Sequence, residues 1–93
     1  MNDSFNNFNY YEAQKKLESA LEPAHFIDDK KSIGIINSKI GRIKYSIEEP
    51  DEAIKYLAKA VATQRIINDK INLAESYKTY GNVYVAKKEY KTA

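Results

Sequence analysis

Apolar residues recur along this chain with the period of a helix. Ile33, Ile36, Ile40, Ile43 and Ile47 follow one another at spacings of 3, 4, 3 and 4, which lines one helix face and breaks the two-residue period of a strand. Asp28 and Asp29 stand just before them as residues that cap a helix and complement its dipole. Ala53, Leu57 and Ala60 form a second stripe behind Glu49-Pro50-Asp51-Glu52. Proline suits the first helical position, and carboxylates suit the positive end of the dipole, so a helix is expected from there to about residue 67. An earlier helix is expected over residues 10–21, with Ala13, Leu17, Ala20 and Leu21 on one side, and Pro23 ending or kinking it. A later one, over about residues 71–86, carries Leu73, Tyr77, Tyr80, Val83 and Tyr84. A turn is expected at residues 87–89, with a further helix beginning at Tyr90. Residues 1–9 read either as a loose lead-in whose Phe5 and Phe8 tuck under the first helix or as a disordered tail.

Gly34 and Gly41 lie two helical turns apart within the isoleucine-rich segment. Each costs about 1 kcal/mol of helix propensity relative to alanine. Their presence predicts a neighbouring helix that packs too closely there for a Cβ. The short connections between helices favour antiparallel neighbours.

The stripes repeat. A shift of 40 residues aligns Ala13 with Ala53, Leu17 with Leu57, Ala20 with Ala60, Ile27 with Ile67 and Asp29 with Asp69. It also aligns Lys30 with Lys70, Gly41 with Gly81 and Ala53 with Ala93. The matches fall at packing positions and turns, as expected where each unit buries the same stripe on its neighbour.

In this pattern the chain resembles the tetratricopeptide repeat (TPR) family. Ile40-Gly41 followed by Ala53, Leu57 and Ala60 keeps that family's offsets of glycine, alanine, large apolar residue and alanine. Tyr77, Tyr80-Gly81, Tyr84, Tyr90 and Ala93 fit the following unit, and Tyr10, Ala13, Leu17 and Ala20 fit the second helix of a preceding one. Lys44, Glu48, Lys88 and Asn37 depart from the family's aromatic, glycine, glycine and apolar preferences, and the period of 40 exceeds the usual 34. The resemblance implies an all-α chain of antiparallel helix pairs, stacked as a short right-handed α-solenoid and truncated in mid-repeat. Its units are residues 10–27 (a second helix), 28–67 (a full repeat) and 68–93 (an incomplete one).

Composition narrows function by exclusion. The 93 residues carry a net charge of +2 from 15 basic and 13 acidic side chains, too balanced to suggest nucleic acid or an anionic membrane as partner. No apolar run reaches the roughly 18 residues of a membrane span. There is no cysteine, which fits a cytoplasmic protein and removes thiolate metal sites. His25 is the single histidine, with neither a second histidine nor a cysteine to join it as a metal ligand or catalytic base. Asp28 and Asp29 are read as caps rather than as a catalytic pair, and the three glycines are isolated within helices rather than gathered into a phosphate loop. Eight tyrosines could stack on bases, but Tyr77, Tyr80 and Tyr84 sit at helix-packing spacing. No catalysis, metal or cofactor is therefore expected.

Binding is the remaining role. The first helix of each TPR pair lines the concave face, and the resemblance places Ser38, Arg42 and Tyr45 there in one unit. In the next it places Lys78, Asn82 and Val85, with Ile35 and Glu75 at the border. Lys78 and Asn82 match two residues with which some TPR domains hold a peptide's terminal carboxylate. The expected partner-binding residues are Ser38, Arg42, Tyr45, Glu75, Lys78 and Asn82, and the expected partner is a protein or peptide. Self-association through the uncapped repeat end is a second expectation, since about three repeats are usually needed for stability. The alternative role is a sensor or regulatory segment of a larger signalling protein or transcriptional regulator.

Overall fold

The computed structural model describes the backbone of residues 3–92 and the side chains of residues 9–88. The described residues form four helices: α1 (Asp3–Phe26), α2 (Lys30–Ser46), α3 (Pro50–Ile66) and α4 (Lys70–Thr92). Among the described residues there is no strand, and no helix is long and apolar enough to cross a membrane.

The links at residues 27–29, 47–49 and 67–69 are built alike. Their middle residues, Asp28, Glu48 and Asn68, take φ values of 55°, 65° and 57°, so the left-handed residue recurs every 20 positions. In the first link the Asp28 amide donates to His25 O (3.1 Å) and the Asp29 amide to Ala24 O (2.8 Å). The same pair of bonds closes on Tyr45 and Lys44, and again on Arg65 and Gln64. This is the Schellman closure, which satisfies the last carbonyls of each helix. The residue after each left-handed one starts the next helix. Asp29 caps α2, its carboxylate accepting from the Ser32 amide (3.2 Å) and hydroxyl (2.7 Å), and Asp69 does the same with Asn72. The two bonds from Ser32 hold the Asp29 carboxyl below its ordinary value of 3.8. That cap is complete above the ordinary range and is lost as pH falls through the lowered value. Glu49 makes no side-chain cap, and Pro50 opens α3 instead.

A three-residue link cannot span a helix of 17 residues, about 25 Å long, so each helix runs back beside the one before. The contacts follow the chain: α1 with α2, α2 with α3, α3 with α4. The ends of the row do not meet, which distinguishes it from a closed four-helix bundle. α2 also touches α4, whereas the α1 and α3 backbones do not approach each other. The row therefore bends, with α2 and α4 on its inner side.

Two clusters form the interior. Ala24, Ile33, Ile36 and Ile40 are buried together, with Leu17, Leu21 and Tyr56 packed against them. Ala53, Leu57 and Val83 form the second, flanked by Tyr45, Ile54 and Tyr80. Between α2 and α3 the two glycines make the close approach their sequence positions predict. A Cβ on Gly41 would lie 2.7 Å from Leu57 Cγ and 3.3 Å from the Ala53 carbonyl oxygen, and one on Gly34 would lie 2.9 Å from Gln64 Cγ. Gly81 has no neighbour within 4 Å of that position.

Three boundaries differ from expectation. α1 begins at Asp3 and so takes up most of the segment expected as a loose lead-in; the packing expected of Phe5 and Phe8 lies outside the described side chains. α1 also runs through Pro23 to Phe26. Proline deprives the Ser19 carbonyl of an amide partner, but Ser19 is exposed to solvent, and the helix ends instead where Asp28 turns left-handed. The turn expected at residues 87–89 is absent, because α4 continues to Thr92 and no separate helix begins at Tyr90. The sequence lacks the corresponding signal: Tyr90 stands where Pro50 opens α3, and Lys87 Nζ is held by Asp51 Oδ1 at 2.6 Å, fastening α4 to the first turn of α3.

The two aligned glycines should respond oppositely to the same change. Gly41→Ala is expected to lower unfolding free energy by about 1–2 kcal/mol, the cost of overpacking less the gain in propensity. Gly81→Ala is expected to raise it by about 0.5–1 kcal/mol. Urea denaturation at low micromolar concentration measures both, and shifts of the same sign would refute the seam. Glu48→Gly should add about 0.5–1 kcal/mol by relieving a left-handed residue with a Cβ. Asn68→Gly should add less, because asparagine tolerates that conformation; equal gains would count against this reading of the links.

Candidate binding cleft on the inner face

Where α2 and α4 meet, they leave a cleft of about 180 Å³ lined by Ile35, Ser38, Lys39, Arg42, Gln64, Asn72 and Glu75. Its floor is a buried polar relay. Gln64 is fully buried on α3, and in the orientation its neighbours satisfy, its amide nitrogen faces Ser76 Oγ (2.7 Å), Asn72 O (3.2 Å) and Ala60 O (3.3 Å). Ser76, also fully buried, donates to Ser38 Oγ at 3.0 Å. The relay thus joins α3, α4 and α2. The corresponding positions of the preceding helix pair, Ala24 and Ile36, pack as plain apolar neighbours.

At the rim, Arg42 Nη2 of α2 meets Glu75 Oε1 of α4 at 3.0 Å, with both side chains more than half exposed. An exposed pair of this kind contributes between about 0 and 1 kcal/mol. It orients two groups while leaving each open to exchange. Lys39 adds a second cation to the α2 wall.

The six residues expected from sequence divide. Ser38, Arg42 and Glu75 come together in this cleft. Lys78 lies on the exposed side of α4, in a shallow depression with Lys70, Ile71, Ala74 and Glu75, and Asn82 is exposed one turn further on. Tyr45 leaves the groove: its ring is half-buried against the Ala53, Leu57 and Val83 cluster, and it lines a separate pocket with Pro50, Ala86 and Lys87. Gly41 admits α3 so closely that a long side chain at position 45 meets that helix before it meets solvent. Gln64, Asn72 and Lys39 were missed. Gln64 carried a signal, a polar residue in register with Ala24 on an otherwise apolar stripe.

The other candidate groups have structural roles. Asp29 is a cap, and His25 is exposed in the last turn of α1. Among the described residues no group of three or more His, Asp or Glu comes together. Of the three tyrosines whose spacing predicts core packing, only Tyr80 lies against the buried cluster. Tyr77 and Tyr84 are exposed, because no helix follows on that side of α4 among the described residues. Tyr80 and Tyr84 lie with ring centroids 5.1 Å apart, and the hydrogen bond with Tyr84 raises the Tyr80 hydroxyl pKa above its ordinary value. Asn37 is buried, and its Oδ1 accepts no hydrogen bond.

Comparison of the chain with protein-family models, with curated proteins and with solved structures gives no match. The described residues form an all-α open row of four helices with a polar cleft on its inner side.

The relay and the rim should separate in mutagenesis. Gln64→Ala is expected to cost about 2–4 kcal/mol, through a cavity and an unpaired Ser76 hydroxyl. Ser38→Ala should cost about 0.5–1.5 kcal/mol because Ser76 keeps Gln64, and Arg42→Ala no more than about 1 kcal/mol. A ranking in which Arg42 exceeds Gln64 would overturn this division between a structural floor and an exposed rim.

Proposed function

We propose that this chain is a TPR-like helical-repeat module that binds a peptide or a segment of another protein without catalysis. The observation that carries the reading is the Arg42–Glu75 pair across the α2–α4 cleft. A guanidinium already oriented by a carboxylate from the neighbouring helix is prepared to exchange it for a carboxylate of a ligand, in the bidentate geometry arginine favours. Glu75 then acts as a tethered competitor. Ile35 supplies an apolar contact beside it, and Lys39 and Lys78 extend the positive field to either side. The position of the cleft on the inner side of a bent row supports the same reading, since a concave surface can embrace an extended segment. The 40-residue recurrence of glycine, alanine, leucine and alanine supports the TPR-like assignment and its right-handed stacking. Tyr45, half-buried against the Ala53, Leu57 and Val83 cluster, lies outside this cleft.

Selection from a random peptide library on the immobilised chain, followed by fluorescence titration, tests this. Enriched peptides should carry an acidic side chain or a free C-terminus. Arg42→Ala should weaken them about tenfold or more, and Glu75→Ala should leave them equal or tighter by removing the competitor. Unchanged affinity in both Arg42→Ala and Lys78→Ala would refute the inner-face site.

A further inference from the structure

Within the molecule, α2 presents two faces. Ile33, Ile36, Ile40 and Ile43 are buried on one side, and Gly34, Asn37 and Gly41 are buried along the seam with α3. The first face has its counterpart on α4 in Leu73, Ser76, Tyr80 and Val83, which point inward. The second face recurs on α4 as Ala74, Tyr77, Gly81 and Tyr84, and there it is open. Asn37 is 2% exposed, whereas Tyr77 in the same register is 48% exposed, as is Tyr84. This is an apolar helix face at 3, 4, 3 spacing that lies in water.

The other half of the seam also has an open copy, on α1. Ala53, Leu57 and Ala60 are fully buried, while their counterparts Ala13 and Leu17 are only half-buried and Ala20 is exposed. We propose that the α4 face of one molecule receives the α1 face of a second, Gly81 against Leu17, repeating between copies the seam that Gly41 and Leu57 make within one. This inference rests on the internal repeat and does not depend on the peptide-binding cleft.

The substitutions along the two faces compensate each other. Within the chain, Gly34 cannot carry a Cβ because Gln64 Cγ would lie 2.9 Å away. In the intermolecular copy Gly34 becomes Ala74, and Gln64 becomes Ala24. The small Ala24 side chain is buried against Ile33, Ile36 and Ile40 of its own molecule and so leaves room outside it. A methyl gained on one side is matched by a side chain lost on the other. Lys44 and Glu49, ion-paired at 3.1 Å within the chain, become Tyr84 and Asn9, a hydroxyl and an amide that can hydrogen-bond in their place. The helix ends are also compatible. α4 runs past position 88, where α2 would turn, and α1 begins before position 10, where α3 would start. Two antiparallel helices joined by no loop can extend past that point side by side. The contact is head-to-tail, so it leaves a free α1 face at one end and a free α4 face at the other, and further copies can add.

Sedimentation velocity on the 93-residue chain and two variants tests the geometry. Gly81→Arg blocks only the α4 face and Ala20→Arg only the α1 face. Both positions are exposed, so circular dichroism should show unchanged helix content. Wild type should form species larger than a dimer as concentration rises toward about 0.5 mM. Each variant alone should remain monomeric, and an equal mixture of the two should form a dimer and grow no further. A monomeric wild type, a single variant that still associates, or a mixture that stays monomeric would each overturn the proposal.

Discussion

The structure depends on how closely α3 can approach α2, and two missing side chains set that distance. With Gly41 opposite Leu57 and Gly34 opposite Gln64, the helices close without room for a methyl group between them. The consequences run outward from there. Gln64 is carried into the interior, where its amide must find partners. Ser76 of α4 and, through it, Ser38 of α2 answer that demand. The relay draws α4 against α2, and Glu75 comes within 3.0 Å of Arg42. The inner-side cleft therefore follows from a packing constraint two helices away.

Much of this was legible in the sequence, and the reasons differ by element. The limits of α2 and α3 were clear because a sustained 3-and-4 apolar spacing was bounded by Asp29 on one side and Pro50 on the other. The close approach was legible from Gly34 and Gly41, since helix-interior glycine is costly unless something requires it. Pro23 misled because a proline in the last turns of an exposed helix loses one carbonyl bond that water replaces, while the true stop is a left-handed residue with no diagnostic side chain. At Glu48 that stop even lacks the usual glycine or asparagine. The turn at residues 87–89 was inferred from the repeat alone, without the proline that enforces it at position 50. That Tyr45 stands apart from the cleft was not legible, because spacing gives the angle around a helix axis but not how near the next helix stands.

The links show that the 40-residue period is built from two similar halves. Each of α2 and α3, with its following link, occupies 20 residues and ends in the same pair of backbone bonds. What separates the halves is side-chain content: glycine on α2 and α4, alanine and leucine on α1 and α3. The proposed association pairs one kind of half with the other, as the seam between α2 and α3 does within the chain. The inner-side cleft between α2 and α4 is lined by residues of neither surface, so the proposed recognition and the proposed end-to-end association can be tested separately.

The seam itself can be observed directly by a nuclear Overhauser spectrum of the methyl-labelled chain. Strong cross-peaks between the Leu57 methyls and the Gly41 α-protons, with others between the Gln64 side chain and the Gly34 α-protons, are the expected result. Gly41 α-protons that show no contact with Leu57, in a sample whose amide connectivities confirm α2 and α3 as helices, would contradict it.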